Sequence, residues 1–374
     1  MSRVLVAMSG GVDSAVAAAL LVDQGHDVTG VHLKLADIPG GEQVPGHGCC
    51  TLDDAQDARR TAQVLGIPFY VWDLGDTFRR EVQEPFAAAY AAGATPNPCV
   101  SCNERVKYAA LLDQALAAGF DALATGHHAR LRRGGELVTE PGPGATLHRG
   151  ADPHKDQSYV LYMAGAGELA RTLLPVGEVT KDEVRRIAEQ WGLRVADKPD
   201  SYDICFIPDG DTAAYLAERV PAEPGPIVDA DGSVLGGHRG VWGFTVGQRR
   251  GLGLDHHRRR FVTDVDAERR TVRVGPREDL ACRWLRVQSP TWAGPRPPGG
   301  ANEASVRVQV RAHGPATPAR LTHDADGTLI ELETPVYGVA LGQAAVVYDD
   351  GDDRCLGGGR IDRAERPAGL ATVR

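Results

Sequence analysis

The feature that most constrains this chain lies near its start. Val4–Leu21 reads VLVAMSGGVDSAVAAALL: a short apolar strand, a Gly-Gly turn, then Asp-Ser opening an alanine-rich helix. Ser9, Gly10, Gly11, Val12, Asp13 and Ser14 thus lie where a strand hands over to a helix. Two glycines let the backbone turn its N–H groups inward with no Cβ in the way. The helix start adds unpaired N–H groups and a partial positive charge, and Ser9 and Ser14 add hydroxyls. The sum is a cradle for phosphate oxygens. It is neither a Walker A loop, since no Lys follows the glycines, nor G-x-G-x-x-G. A plain β-turn-α connection would explain Gly-Gly alone, but not the full S-G-G-V-D-S in this setting.

The rest of the first half continues the alternation. Val28–Leu33, Phe69–Asp73 and Ala122–Thr125 read as strands; Asp53–Leu65, Phe78–Ala92 and Tyr108–Ala118 read as helices. Gly66 and Gly119 end two of those helices, and Thr180-Lys-Asp-Glu183 forms a capping box before Val184–Trp191. Such alternation implies βαβ units and a parallel sheet with ligand-binding loops at the strand C-termini. Near residue 218 the texture changes. Pro221, Pro224 and Pro226 break the chain, and Gly240–Val246, Phe261–Val265, Thr271–Val274, Ser305–Arg311 and Ala344–Tyr348 alternate in the β manner. Asp231-Gly232 and Asp326-Gly327 look like turns, and Thr291–Asn302 looks like a linker. The expected fold is therefore α/β. A parallel-sheet nucleotide domain spans 1–218, a small β-rich central domain 219–278, and a C-terminal β-barrel 279–374.

The 374 residues are too many for one ordinary domain. No apolar run is long enough for a transmembrane helix, and the N-terminus enters a strand with no leader-like pattern, so a cytoplasmic protein with no membrane partner is expected. There the seven cysteines suit catalysis or metal binding better than structural disulfides. The formal charge of −9 argues against a general nucleic-acid binder but leaves room for local patches. Arg249-Arg250 and His256–Arg260 form one; Arg307 and Arg311 are read as sharing a strand face.

Thr95-Pro-Asn-Pro-Cys99-Val-Ser-Cys102-Asn103 is a proline-stiffened loop leading into a helical pattern. Cys102 is placed near a helix N-terminus, where a thiol is drawn towards thiolate, with Arg105 and Lys107 close by. Cys205 lies far along, in Asp200-Ser-Tyr-Asp-Ile-Cys-Phe-Ile. A reactive thiol and a second one that resolves it make a minimal sulfur relay. Cys282 and Cys355 read as buried hydrophobes and Cys49-Cys50 as structural.

These motifs, in this order, resemble the bacterial tRNA-specific 2-thiouridylases, a family of PP-loop ATP pyrophosphatases. The matching segments are AMSGGVDS, GCCTLDDAQDARRTAQVLGIPFY, TPNPCVSCNERVKY, ATGHHAR, KDQSYVL, PDSYDICFI, FTVGQRRGLG and, more weakly, VYGVALGQAAVVYDDG. The resemblance implies ATP-dependent conversion of the wobble uridine of tRNAs for Lys, Glu and Gln to 2-thiouridine. The C2 oxygen is adenylated with release of pyrophosphate, and sulfur then comes from a cysteine persulfide. It implies that Ala7, Met8, Ser9, Gly10, Gly11, Val12, Asp13, Ser14, Leu33 and Gly126 contact ATP, with Asp13 helping to hold Mg²⁺. Cys205 would carry the persulfide and Cys102 would resolve it, leaving a disulfide to be reduced. Asn97, Pro98 and Cys99 would border the target base; His127, Lys155, Asp156, Gln157, Arg311 and Gln343 would touch the tRNA. A cysteine desulfurase or sulfur-carrier protein would supply the sulfur.

One position departs from the family. Many members carry Asp where this chain has Cys99, so Cys99, Cys102 and Cys205 form a possible three-thiolate set for a 4Fe–4S cluster. A zinc site and a plain third thiol are the other readings. The rival functions are a PP-loop synthetase that uses ammonia, for which Cys102 and Cys205 would be dispensable, and a nucleotide- or tRNA-binding protein that consumes no ATP.

Overall fold

The computed structural model describes residues 1–35, 52–199, 204–207, 210–254, 259–293 and 304–365. In the first half the strands are β1 (Arg3–Ala7), β2 (Asp27–Lys34), β3 (Phe69–Asp73), β4 (Ala122–Ala124), β5 (Ala129–Arg133), β6 (Glu136–Leu137), β7 (Thr146–Arg149) and β8 (Thr172–Leu173). Five of them make a parallel sheet in the order β3-β2-β1-β4-β8. Val4, Leu5, Val6 and Val31 are fully buried in it, as expected of strands covered on both faces. The order reverses at β1: β2 and β3 lie to one side, β4 and β8 to the other. Loops that follow β1 and β4 therefore face one crevice at a topological switch point.

The helix Val12–Asp23 packs its alanines into this core, where Ala17, Ala18 and Ala19 are completely buried. Two longer helical runs pack against each other, the second also against β4. One joins Gly75–Phe78, Arg79–Gln83 and Glu84–Ala91; the other joins Pro98–Ser101, Cys102–Leu111 and Leu112–Ala117. The middle piece of each is wound as a π-helix, a local widening often found at functional sites.

The central domain is a four-stranded sheet of β9 (Gly225–Val228), β10 (Val234–His238), β11 (Phe261–Asp266) and β12 (Thr271–Gly275), ordered β10-β9-β12-β11. Ile227, Val262, Val272 and Val274 form its core. Pro226 sits within β9, where the pairing with β12 starts only at Ile227, so its missing N–H breaks no ladder on that side. The strand expected over Gly240–Val246 is instead a 3₁₀ turn at Val241–Gly243, because Val241 and Phe244 pack into the core from a loop.

The third domain holds β13 (Ala281–Val287), β14 (Thr291–Trp292), β15 (Ala304–Gln309), β16 (Thr317–Asp324), β17 (Gly327–Tyr337), β18 (Ala344–Tyr348) and β19 (Arg354–Ala364). The order β13-β17-β16-β15-β18-β19 closes on itself through β13 and β19, giving a six-stranded barrel. Asp326-Gly327 turns β16 into β17 as read from the sequence. Thr291 and Trp292, expected in a linker, pair with Gly358 and Gly357 of β19; residues 294–302 lie outside the described residues. Arg311 lies beyond β15, so it does not share a strand face with Arg307.

No local pattern announces that β5–β7 leave the first domain and extend the barrel sheet, with Cys355 of β19 opposite Leu147 of β7. Arg149 seals this junction. Its guanidinium lies 3.7 Å from the Tyr348 ring centroid and bonds Asp156 and Asp352, each at 2.7 Å. Cys282 and Cys355 are buried; burial pushes the Cys355 thiol up to about 12, and the Cys282 thiol donates to the Trp284 carbonyl at 3.0 Å. Cys49 and Cys50 lie outside the described residues.

Candidate functional site

The phosphate loop leaves β1 after Ala7. The Met8 N–H donates to the Val31 carbonyl at 2.8 Å, and Gly10 turns the chain at φ +82°. A Cβ on Gly10 would lie 2.3 Å from the Asp54 carbonyl oxygen, so the loop rests directly on the helix Leu52–Leu65. Ser14 stitches the loop internally: its Oγ donates to the Gly11 carbonyl at 3.0 Å and accepts from the Ser9 N–H at 3.1 Å. Ser9 is exposed, and its Oγ lies 3.2 Å from Ser14 Oγ and accepts from the Gly11 N–H at 3.4 Å. Gly11 is the N-cap of Val12–Asp23 and no side chain caps it. The first-turn N–H groups are thus left for an anion.

Asp13, on that first turn, is already held. Lys181 Nζ donates to both of its oxygens, at 2.7 and 2.8 Å, and His128 Nε2 lies 3.0 Å from Oδ1. Burial pushes the Asp13 carboxyl up, but the His128 hydrogen bond and the Lys181 charge outweigh it, so it titrates below the usual carboxylate range. Lys181 thus bonds both oxygens that were expected to help hold magnesium, and Asp13 would serve a magnesium ion only by sharing or exchanging that pair.

The loop after β4 closes the crevice from the other side. A Cβ on Gly126 would lie 2.6 Å from the Asp13 carbonyl carbon and the Ser14 nitrogen, so only glycine lets this loop abut the helix start. His127 is buried between Thr125 Oγ1, 2.7 Å from Nδ1, and Lys107 Nζ, 3.3 Å from Nε2. An ammonium can only donate, so Nε2 accepts and Nδ1 carries the proton. Burial, then the Lys107 charge, hold this imidazole well below its ordinary pKa, and it is neutral. Leu33 is buried near the end of β2.

Asn97 caps the helical run that carries the cysteines, its Oδ1 accepting from the N–H groups of Cys99 and Val100 at 2.9 and 3.4 Å. Pro98 takes the first helical position, where its missing N–H costs nothing. The helix thus starts one turn earlier than expected. Cys99 lies in the first turn, whereas Cys102 begins the π-wound stretch beyond it, where the helix dipole is weaker. Both are partly exposed, as is Cys205. Among the described residues no three His, Cys, Asp or Glu side chains are grouped so as to hold a metal ion.

The barrel grips this loop. The Thr95 N–H donates to the Leu341 carbonyl at 2.7 Å, and Gln343 Nε2 donates to the Thr95 carbonyl at 2.7 Å. Arg360 of β19 reaches Ser101 Oγ at 3.1 Å and Glu104 at 3.2 Å. The other residues expected at tRNA have protein partners here. Asp156 accepts from Arg149, Ser158 and the Gly150 N–H; Gln157 accepts from the His128 N–H. Lys155 lies beside them in the same loop, its backbone N–H bonded to the Asp152 carbonyl at 3.1 Å. Arg311, exposed, donates to the carbonyls of Tyr337 and Gly338. In the basic patch Arg249, Arg250 and Arg259 are exposed, Arg260 is paired with Asp229 at 2.5 Å, and 256–258 lie outside the described residues.

Residues 2–209 match the profile of the tRNA methyl transferase HUP domain, 213–276 its PRC-barrel domain, and 282–361 the aminomethyltransferase beta-barrel domain. The tRNA-specific 2-thiouridylase of a Nocardioides species is 52% identical over 98% of this chain and 99% of its own length. The chain belongs to the tRNA-specific 2-thiouridylase family. The family enzyme of Acidothermus cellulolyticus is 53% identical over 98% of this chain and 99% of its own. A solved NMN synthetase from Francisella tularensis aligns with a TM-score of 0.33 and 20% identity over 54% of this chain and 66% of that one, which adds nothing to the assignment. No described helix is long and apolar enough to cross a membrane.

The sequence reading missed Lys181, Lys198 and His128. Lys181 follows an N-cap that is itself legible, Thr180 with Glu183 in a capping box. Nothing in its spacing from Asp13, 168 residues away, announces the pair.

Proposed function

We propose that the chain is an ATP-using tRNA sulfurtransferase that converts the wobble uridine of tRNAs for Lys, Glu and Gln to 2-thiouridine. The observation that carries the reading is the uncapped helix start at Gly11, facing the crevice beside Asp13 and Lys181, in a chain that keeps Cys102 and Cys205 both partly exposed. The N–H groups of the phosphate loop and the Ser9 hydroxyl bind the leaving pyrophosphate. Lys181, anchored by Asp13, adds positive charge where charge develops. The uridine C2 oxygen attacks the α-phosphorus of ATP and pyrophosphate leaves. The C2 oxygen, a poor leaving group, then departs as AMP.

Sulfur arrives on Cys205 as a persulfide, loaded by a cysteine desulfurase or a carrier protein. Its terminal sulfur adds at C2, forming the C–S bond, and AMP leaves. The Cys102 thiolate attacks the Cys205 sulfur and breaks the S–S bond. This frees 2-thiouridine and leaves a Cys102–Cys205 disulfide, which an external thiol reduces with two electrons. The base must be out of its stack for C2 to be reached. The Asn97 Nδ2 group is the donor left to face the uracil edge, since Oδ1 caps the helix. Cys99 is a third thiol beside the relay. His127, Lys155, Asp156, Gln157, Arg311 and Gln343 stay candidates for tRNA contact, which requires that their present bonds be exchanged.

The test is thiolation of a transcribed tRNA with ATP and a persulfide donor, on anaerobic protein assayed for iron and acid-labile sulfide. Cys205→Ser and Cys102→Ser should each lower 2-thiouridine by at least about a hundredfold with pyrophosphate release retained. An amidating synthetase would keep its activity in both variants. Activity that tracks iron content would replace the relay with a cluster.

A further inference from the structure

Lys198 donates to three acceptors at once: the Gly10 carbonyl at 3.0 Å, Asp54 Oδ1 at 2.7 Å and Asp57 Oδ2 at 2.8 Å. An ammonium has three protons, so the set uses them all. One acceptor is the turn of the phosphate loop itself; the other two lie on the helix against which that turn rests. The Lys198 carbonyl is gripped in turn by Arg185 at 3.1 Å, from the helix Lys181–Gln190 that carries Lys181.

Lys198 precedes Cys205 by seven residues. Immediately after Cys205, Phe206 packs edge-on to Phe78 and Phe86 at 5.6 and 5.5 Å and lies 5.3 Å from Tyr215. Phe78 and Phe86 belong to the helical run that packs against the run carrying Cys102. The chain is thus held on the phosphate loop at Lys198, seven residues before Cys205, and on the aromatic cluster at Phe206, immediately after it; residues 200–203 between them lie outside the described residues.

We propose that Lys198 is a positioning residue that ties the Cys205 stretch to the phosphate loop, so that the sulfur-bearing residue is in place only when that loop holds its working shape. The inference rests on the thiolation reading. It has a chemical consequence. An adenylated uridine that meets no sulfur is attacked at C2 by water, which returns uridine and AMP. Loosening the tie therefore separates ATP consumption from thiolation, whereas general damage to the site lowers both together.

The measurement is the ratio of AMP released to 2-thiouridine formed, with transcribed tRNA and full-length protein preloaded with persulfide. Lys198→Met should raise the ratio about tenfold, and Lys198→Arg should restore most of the coupling. If Lys198→Met lowers both products in step, the proposal is wrong. Should that variant fail to fold, Asp57→Asn serves in its place, with a smaller rise of about threefold expected and an unchanged ratio overturning the idea. If the parent chain itself makes no 2-thiouridine, it is the functional reading that fails, not the role of Lys198.

Discussion

Lys181 holds both carboxylate oxygens of Asp13, at 2.7 and 2.8 Å, across the mouth of the phosphate loop. Removing the lysine leaves Asp13 facing an anionic ligand with its own charge uncompensated. Lys181→Met is expected to raise the KM for ATP about tenfold or more in pyrophosphate release. Its stability cost is about 1 kcal/mol, because the Asp13 side chain is 32% exposed and solvent screens the orphaned charge. Adding Asp13→Asn should recover the denaturation midpoint but not the activity. Recovery of both would mean that the pair only holds the fold.

His127 carries a pH signature. Its folded-state pKa lies well below the ordinary 6.5, so below that pH the unfolded chain takes up a proton that the folded chain refuses. Stability from this group is fully present above 6.5 and falls as pH drops further, by up to about 1.4 kcal/mol per pH unit. Urea melts from about pH 7 to 5 should show this slope, and His127→Asn should flatten it. An identical slope in the variant would assign the effect elsewhere.

Gly126→Ala tests the close approach of the two crevice loops. A Cβ there, 2.6 Å from backbone atoms of Asp13 and Ser14, must push the helix start away. We expect ATP affinity to drop at least about tenfold while the melting temperature falls by only a few degrees. Unchanged ATP affinity would mean that the loop yields without moving the cradle.

The barrel's hold on the cysteine loop predicts a remote effect. Arg360→Ala removes the contacts to Ser101 and Glu104 without touching the phosphate loop. Thiolation should fall roughly tenfold with the KM for ATP unchanged, since a small misplacement of a reacting group costs rate. A shift in KM for ATP instead would refute this division of labour.

With a net charge of −9, any tRNA binding is predicted to rest on local patches such as the exposed Arg249, Arg250 and Arg259. Affinity should fall at least about tenfold between roughly 50 and 200 mM salt. A flat salt dependence would exclude the patch.

Local signals were legible and long-range ones were not. The phosphate loop, the parallel strands and the Thr180 capping box could be read because turn chemistry and periodicity act over a few residues. The helix carrying Cys102 begins a turn early because Asn97, read as a base contact, is its N-cap, and the two uses look alike in sequence. Lys181 on Asp13, Lys198 on Gly10 and β7 on β19 join segments far apart in the chain, and no local pattern encodes which distant groups will meet. The Gly240–Val246 stretch failed for the opposite reason: its apolar residues serve a core from a loop.

The bond from Gln343 to Thr95 spans 248 residues of chain. During synthesis, at about 5–20 residues per second, the Thr95–Cys102 loop leaves the ribosome roughly 12–50 s before the strands that brace it exist. The phosphate loop also waits, for the 188 residues between Gly10 and Lys198, but its brace lies within the first domain and is made well before the barrel strands. A nascent or C-terminally truncated chain would therefore acquire its nucleotide cradle first and a braced cysteine loop last, so Cys99 and Cys102 are set in place only once the barrel has been made.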